Sequence, residues 1–360
     1  MKGRKLIKGY MDKKDNRTAL NKLAGRVFGL SFEEWYQAGG WDGRYVPYSY
    51  LEGNRLAANV SVSRLELVMN GKRHKAVQIG TVMTAPECRG QGLAAALMRE
   101  VLADYETECD VFYLFANRNV LEFYPRFGFR PMEQRQFRLP ADRTAASRDY
   151  ASGPSGAGEG SGLPAGSPGS ADRLDGEPPG GMKTECGACL ISSRAAARSP
   201  AEPTSGTSPR SAAPAFSRVR KLDLRSPADW TLLRAFARER VPNSERFDTS
   251  GTSGLLMFYG LLVLTDHFYF LEDLDVIVVY EQREGVTHLY DIVARAPYDT
   301  EEVLACIPGA GMDIVFHFTP NLEPGRLIAE PFHGTEVLFV RTRQGVEWPE
   351  SFKHPMTSQA

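Results

Sequence analysis

The sequence predicts a mixed α/β fold for the first part of the chain, and three observations lead to this class. Apolar and β-branched residues at Val77, Ile79 and Val82 form a short run that is typical of a buried strand. Residues 89–94 contain two glycines and open into a segment whose apolar residues recur every four positions, as in an amphipathic helix. A second strand-like run follows at residues 111–115. Strands and helices that alternate in this way predict a sheet flanked by helices.

The other elements of this part follow from local patterns. Asp15-Asn16 is a helix-capping pair, and Asn70-Gly71 is a strong signal for a hairpin turn between two strands. The predicted elements are a strand over 6–10, helices over 15–28 and 32–38, strands over 56–69 and 75–84, and a helix with its apolar stripe at Leu93, Leu97, Val101 and Tyr105. The domain is expected to end near Arg138.

Composition excludes several classes of function. The formal net charge is -1, so no global field favours nucleic acid or an anionic membrane as a partner. The longest apolar run, residues 255–264, is too short to span a bilayer, and the basic N-terminus lacks the apolar core of a signal peptide. Five widely spread cysteines suit a reducing compartment. A cytoplasmic protein is therefore predicted.

A change of composition divides the chain. Residues 141–215 are dominated by Gly, Ser, Pro and Ala, which cannot bury enough apolar surface to offset the entropy of ordering, so a disordered linker is predicted. Cys186 and Cys189 lie inside it, but a zinc site needs two more ligands, and two solvated thiols are expected. The predicted domains are 1–140, the linker 141–215, and a second domain over 216–360 with a C-terminal tail.

The second domain repeats the element order of the first. Helices are predicted over 229–237, 254–265 and 299–307, and strands over 268–271, 276–280, 288–294 and 313–318. Residues 296–299 stand where the glycine turn of the first domain lies, and they contain no glycine. A degenerate copy of the first domain, without its ligand turn, is therefore predicted.

Two motifs resemble those of the GNAT superfamily of N-acetyltransferases. Arg89, Gly92 and Ala94 fill the fixed positions of the family's acetyl-CoA signature, Gln/Arg-x-x-Gly-x-Gly/Ala. Tyr124 precedes Gly128-Phe129 at the point where many family members carry a Tyr ahead of Gly-Phe. The resemblance implies a GNAT fold, with a mixed, mostly antiparallel sheet flanked by helices and a second, degenerate GNAT-like domain.

The resemblance also implies the cofactor site. Acetyl-CoA would be the acyl donor, with no metal. Backbone groups of the turn would cradle its diphosphate, the strand before the turn would present backbone groups to the acetyl carbonyl and pantetheine arm, and Asn119 would lie near the pantetheine. The implied cofactor-binding residues are Val82, Met83, Thr84, Arg89, Gly90, Gln91, Gly92, Leu93, Ala94 and Asn119. Tyr124 would be the general acid for the coenzyme A thiolate; alternatively its ring only packs in the core with Phe123, Phe127 and Phe129.

The layout of an active half followed by an inert GNAT-like half resembles the enhanced intracellular survival aminoglycoside acetyltransferases. Those enzymes use their terminal carboxylate as the base, which would be that of Ala360 here. That family also carries a third, sterol-carrier-like domain, and this chain has room only for a short tail. A likeness to two-part bacterial GNAT proteins covers both halves and names no substrate.

The acceptor residues are predicted from position and chemistry. Aromatic rings beside a carboxylate suit an amine through cation–π and charge attraction. The candidates are Trp41, Asp42, Tyr45 and Tyr48, while Tyr48 and Tyr50 are equally well explained as one face of a strand. The six histidines show no metal-ligand spacing and are expected to be structural.

Two functions from different classes remain open. The first is acetyl transfer to a small-molecule or protein amine, with no nucleic-acid or membrane partner. The second is a non-catalytic acyl-CoA-binding sensor or interaction protein. The turn at residues 89–94 favours cofactor binding under either hypothesis, and Tyr124 favours catalysis. The patterns do not indicate an oligomeric state.

Overall fold

The computed structural model describes residues 3–145, 218–309 and 311–360, which form two sheets. Here the first half means residues 3–145 and the second half means the remainder. Most of the predicted linker, including Cys186 and Cys189, lies outside the described residues. Its first residues do not belong to a linker, since Ala141–Ala145 is a helix, α4.

The first half contains β1 to β7 and α1 to α4. The strands are Lys5–Lys8 (β1), Tyr45–Glu52 (β2), Arg55–Met69 (β3), Lys72–Thr84 (β4), Val111–Asn117 (β5), Arg130–Met132 (β6) and Arg135–Leu139 (β7), and the remaining helices are Lys14–Phe28 (α1), Glu33–Gln37 (α2) and Leu93–Tyr105 (α3). All four residues of the predicted apolar stripe on α3 are buried. Asn70 and Gly71 have φ angles of 50° and 75° and form the expected hairpin turn. Helix α1 begins before the predicted cap, so Asp15 lies in its first turn.

The second half contains β8 to β15 and α5 to α7. The strands are Val219–Lys221 (β8), Phe247–Ser250 (β9), Phe268–Leu271 (β10), Val276–Arg283 (β11), Val286–Ala294 (β12), Asp313–Phe316 (β13), Ile328–Pro331 (β14) and Glu336–Thr342 (β15), and the helices are Pro227–Glu239 (α5), Ser253–Leu262 (α6) and Thr300–Cys306 (α7). The predicted strand over 268–271 has the observed bounds. Strands β8, β9, β14 and β15 were not predicted.

The two halves exchange strands. The first sheet has the order β1-β2-β3-β4-β5-β15-β6, with β9 on the edge of β3, and the second has the order β14-β7-β13-β12-β11-β10-β8. Strand β15 of the second half therefore lies between β5 and β6, and β7 of the first half lies between β13 and β14. The sheets are mixed and mostly antiparallel, with parallel pairs β4–β5 and β12–β13. The predicted α/β class is confirmed. The predicted domain boundary at residue 140 does not separate the two sheets, because each sheet contains a strand from the other half.

One hydrophobic core extends across the halves. It contains Leu97 and Val101 of α3 together with Leu233 of α5 and Met257 of α6. Side-chain hydrogen bonds also cross, as Trp35 Nε1 donates to the Gly254 carbonyl at 2.8 Å. The second half is therefore part of the structure that supports the first sheet.

The position of β15 in the first sheet leads to a prediction about shortened chains. A chain of residues 1–140 lacks β15, so it exposes the apolar edge of β5 and leaves β6 without its partner. We expect this chain to aggregate and to show no cooperative transition in a thermal melt followed by circular dichroism. A chain that lacks only residues 151–209 retains every described strand and is the control, expected to melt cooperatively. A monomeric 1–140 chain with a sharp melt would contradict the shared-sheet description.

Candidate functional site

A cleft opens in the first sheet where β4 and β5 stop pairing. The two strands are parallel partners from Ala76–Val111 to Ile79–Leu114, and beyond that point no pairing joins them. Strand β4 continues to Thr84 and β5 to Asn117. Splayed parallel strands expose backbone groups that an extended ligand can bind by adding between them. The predicted residues Val82, Met83 and Thr84 lie on the β4 side of this cleft.

A bulge shapes the β4 side of the cleft. Residues Asn59 and Ser61 of β3 pair with Met83 and Gly80, so two residues of β4 oppose one of β3. Thr81 in the bulge has φ 51°, which is unusual for a β-branched residue. Asn59 Nδ2 donates to the Thr81 carbonyl at 2.8 Å and the Tyr45 hydroxyl donates to Thr81 Oγ1 at 3.2 Å. These bonds hold the strained backbone at the mouth of the cleft.

The predicted diphosphate turn leads into α3. Gly90 and Gly92 have φ angles of 74° and 71°, in the left-handed region where a side chain would be strained. Gly92 is the N-cap of α3, and it provides no side-chain cap while the first turn carries no acidic residue. The free N–H groups and the positive end of the helix dipole therefore face solvent, as an anion site requires. Arg89 is exposed beside them, and Arg4 Nη1 donates to Gln91 Oε1 at 2.8 Å.

Tyr124 combines a packed ring with a free hydroxyl. Its ring lies 5.1 Å from that of Phe123 and 5.8 Å from that of Phe339 on β15, so the core-packing interpretation holds for the ring. Within the described residues, no hydrogen-bond partner faces the hydroxyl. Burial, assisted by the charge of Glu336, raises the pKa of Tyr124 to about 12, so the phenol is protonated at neutral pH. A protonated, unpaired phenol can donate a proton to a basic leaving group.

Asn119 occupies the far end of β5. Its backbone N–H donates to Asn117 Oδ1 at 3.0 Å, and the residue is exposed in the turn after the strand. Arg118 beside it donates to the Gly334 carbonyl at 2.9 Å, which ties this turn to the loop before β15. The predicted pantetheine contact is thus placed at the open end of the cleft.

The predicted acceptor residues separate into two groups. Trp41 packs against Tyr45, with ring centroids 5.4 Å apart, and Asp42 Oδ2 accepts a hydrogen bond from Ser253 Oγ at 3.0 Å. Tyr45 reaches the bulge through Thr81, so these three lie between the bulge and the start of α6. The structure does not bring Tyr48 to them, because its hydroxyl donates to Asp104 of α3 at 2.8 Å.

The C-terminal tail, residues 352–360, runs between the two sheets and ends at the bulge. Residues 352–358 are buried and Ala360 is exposed. A Cβ placed on Gly80 would lie 2.9 Å from the carbonyl carbon and oxygen of Ala360. The backbone N–H of Ala360 donates to Gln78 Oε1 at 2.5 Å. The structure therefore brings the carboxyl group of Ala360 to the point where β4 and β5 diverge.

Two site residues were missed in the sequence. Gln78 is fully buried on β4, and its Nε2 donates to Tyr113 Oη at 3.0 Å and to the Ser358 carbonyl at 2.8 Å. Ser63 is the cross-strand partner of Gln78, and its buried hydroxyl has no partner among the described residues. Cross-strand partners share a face of the sheet, so this hydroxyl lies beside the tail. The signal in the sequence that could have indicated this site is the presence of Gln78 and Gly80 inside a long apolar strand.

The corresponding cleft of the second sheet is closed. Asp291 follows the β12–β13 pairing and accepts two hydrogen bonds from Arg240, at 2.9 and 3.0 Å. The helix after it, α7, is capped by the Asp299 side chain, and its first turn carries Glu301 and Glu302. Three carboxylates at a helix N-terminus disfavour a diphosphate. This charge supports the prediction that the second half has lost its cofactor turn.

Three neutral histidines lie within the tail or beside it. His354 Nε2 is 3.1 Å from Tyr113 Oη, and His288 Nδ1 is 3.1 Å from His317 Nε2. Burial lowers the pKa of His288 to about 4 and that of His354 to about 3, and it lowers the pKa of His317 well below its usual value. Burial has the opposite effect on Asp248, whose pKa is raised to about 6.

These shifts predict acid sensitivity. Between pH 6.5 and 4 His288 and His354 are largely neutral when folded and protonated when unfolded, so their stabilising contribution is present above pH 6.5 and lost as the pH falls. From pH 7 to 5, we expect each of these two to remove up to about 2 kcal/mol from the free energy of unfolding, measured by urea denaturation. Asp248 opposes this loss of stability, because its carboxylate takes up a proton at a higher pH in the folded state than in the unfolded state. His288→Gln should flatten the pH dependence and Asp248→Asn should steepen it; unchanged slopes would contradict the assignment.

The described part of the chain has neither a metal-binding cluster nor a membrane-spanning helix. No group of three or more His, Cys, Asp or Glu side chains there is arranged to hold a metal ion. No helix there is long and apolar enough to cross a membrane.

The sequence matches one family model. Residues 13–132 match the model described as the acetyltransferase (GNAT) domain, an interval that contains the bulge, the glycine turn and Tyr124. A comparison with curated protein sequences found no match.

A comparison with solved structures found matches of low sequence identity. A conserved protein of unknown function from Enterococcus faecalis V583, described as a probable N-acyltransferase, is 13% identical with a TM-score of 0.51, and the match covers 94% of this chain and 72% of that one. Eis1 from Mycobacterium abscessus is 13% identical with a TM-score of 0.49, covering 93% and 72%. The GNAT family N-acetyltransferase YhbS from Escherichia coli, in complex with CoA, is 19% identical with a TM-score of 0.29, covering 35% and 68%. At 13% identity, the likeness to the Enterococcus faecalis protein concerns the fold alone.

Proposed function

We propose that the protein is an N-acetyltransferase that moves the acetyl group of acetyl-CoA to a primary amine, and the match of residues 13–132 to the acetyltransferase (GNAT) domain model supports this proposal. The observation that most supports the proposal is the position of the Ala360 carboxyl group against Gly80, where β4 and β5 stop pairing, in the domain that also carries the glycine turn and Tyr124. The turn at residues 89–94 binds the diphosphate, and the pantetheine arm extends along residues 82–84 towards Asn119. Nothing in this assignment requires a metal.

The transfer is a direct attack in a ternary complex. The neutral amine nitrogen attacks the thioester carbonyl carbon, a C–N bond forms and the C–S bond breaks. The carboxyl group of Ala360, which lies against Gly80, accepts the proton that the amine releases. Tyr124 donates its phenolic proton to the departing thiolate, and the raised pKa of the phenol ensures that this proton is present at neutral pH.

The acceptor amine is proposed to enter between the loop at residues 41–45 and the start of α6. Asp42 is held there by Ser253, and its carboxylate attracts an ammonium group before deprotonation. Trp41 and Tyr45 supply aromatic faces, and the unpaired Ser63 hydroxyl supplies a hydrogen bond. Tyr48 has no part in this proposal, since Asp104 holds its hydroxyl on α3.

Mass spectrometry of a panel of amines incubated with the protein and acetyl-CoA tests the proposal. The expected result is an acetylated amine and one equivalent of free coenzyme A thiol, which a thiol-reactive dye detects. Acetyl-CoA binding without any acetylated product would instead support the alternative, a non-catalytic acyl-CoA-binding protein.

A further inference from the structure

The tail reaches the cleft through contacts that the second half provides. Thr357 Oγ1 donates to Asp291, whose carboxylate also accepts hydrogen bonds from Arg240 and from Asn243 Nδ2 at 2.9 Å. The side chains of Asp291 and Arg240 are 0% and 3% exposed. A buried ion pair of this kind is rigid, since moving either charge leaves the other uncompensated. It therefore provides a fixed anchor for residue 357.

The next tail residue is fixed from two sides. Ser358 Oγ accepts a hydrogen bond from Thr249 Oγ1 at 2.9 Å and lies 3.2 Å from Thr252 Oγ1, both in the second half. Its carbonyl accepts from Gln78 of the first half. Ser358 thus joins the two halves immediately before the chain reaches the cleft.

The Gln78 side chain forms the hydrogen bonds to the tail backbone that a neighbouring strand would form. Its amide group donates to the Ser358 carbonyl and accepts from the Ala360 N–H, which are the two backbone groups that a paired strand would satisfy. Two residues further along β4, Gly80 leaves the space that the Ala360 carboxyl group occupies. The Gln78 side chain therefore sets the direction of Ala360, and the absence of a Cβ at Gly80 leaves room for its carboxyl group.

We propose that Gln78 and Asp291 are positioning residues that hold the tail so that the carboxyl group of Ala360 faces the cleft between β4 and β5. This inference rests on the proposed function, in which that carboxyl group is the base. It assigns a role to the second half: the place that corresponds to its own cleft is filled by the Asp291–Arg240 pair, and the pair holds the tail for the first half. Asp291 acts through Thr357, and Gln78 acts through Ser358 and Ala360.

The test uses Gln78→Met and Thr357→Val in the full chain. The first substitution removes the side-chain amide and keeps a side chain of similar length. The second removes the hydroxyl that donates a hydrogen bond to Asp291. Gln136→Met is the matched control, because Gln136 Nε2 also donates to a backbone carbonyl, that of Phe316 at 2.6 Å, and none of its hydrogen bonds reaches the tail. Melting temperature and acetyl-CoA affinity by calorimetry report on folding and on the cofactor site.

Two measurements decide the outcome. Both tail variants should lose about 10²-fold in kcat/KM for the amine, as expected when a reacting group is misplaced, with unchanged acetyl-CoA affinity and partial rescue by added formate. Carboxypeptidase should release Ala360 from both at least about ten times faster than from the wild type or Gln136→Met, because the held conformation is lost. A purely structural effect would not respond to formate.

The contrary results are distinct. If the wild type acetylates amines and the tail variants keep its kcat/KM, or release Ala360 no faster, the positioning inference is overturned and the proposed function stands. If the wild type forms no acetylated amine, the proposed function fails and the inference fails with it.

Discussion

Tyr124→Phe is expected to lower kcat by about 10²-fold or more while acetyl-CoA binds as in the wild type. The substitution removes only the hydroxyl, and within the described residues that hydroxyl has no hydrogen-bond partner to lose. The ring contacts with Phe123 and Phe339 remain, so the melting temperature should not change. Steady-state kinetics with the best amine of the panel provides the measurement.

Tyr48→Phe is the control for this experiment. The Tyr48 hydroxyl donates to Asp104 at 2.8 Å, so its removal costs stability through a lost hydrogen bond. It should change the melting temperature more than Tyr124→Phe does, with a smaller loss in kcat. Unchanged turnover in Tyr124→Phe would remove this residue from the role of general acid.

Gly92→Glu is expected to abolish acetyl-CoA binding. Position 92 has φ 71°, where any side chain is strained, and a carboxylate at the N-cap of α3 would occupy the N–H groups and repel the diphosphate. Calorimetric titration should show no heat of binding.

Gly92→Ala separates the two effects, because it carries the backbone strain without the charge. It should weaken binding less than Gly92→Glu does. If Gly92→Glu bound acetyl-CoA as tightly as the wild type, the assignment of the turn at residues 89–94 would be wrong.

The fold class and the match of residues 13–132 to a GNAT domain model could be predicted from local sequence because their signals are local. The stripe on α3, the hairpin at Asn70-Gly71 and the glycine turn each occupy a few consecutive residues, and all are confirmed. The second sheet, predicted as a degenerate copy, is present with the same parallel central pair.

The strand exchange could not be predicted, because a strand's pattern does not name its partner. Strand β15 reads as a short apolar run, and nothing in Leu338 or Val340 indicates that they pair with β5 rather than with β13. Burial of both faces of a strand favours apolar residues, but it does not specify the partner strand. The expected boundary near residue 140 followed from composition, and composition does not report which strands cross it.

The candidate site was predicted where chemistry and motif coincide and missed where it depends on distant contacts. Arg89, Gly92 and Tyr124 belong to motifs, whereas Gln78 contacts Ala360, which lies 282 residues away in the sequence. Tyr48 shows the limit of position alone: it lies on the same strand as Tyr45, but its hydroxyl bonds to α3. The roles of these residues in catalysis and binding stay predictions.

Calorimetric titration of residues 1–360 with acetyl-CoA, in the presence and absence of an amine that the panel identifies, tests whether the protein binds and uses this cofactor. We expect binding at a single site that Gly92→Glu removes, and with the amine present we expect continuing heat from turnover that Tyr124→Phe suppresses. No binding to the wild type would mean that the turn at residues 89–94 holds no cofactor, and the proposed function would then be wrong.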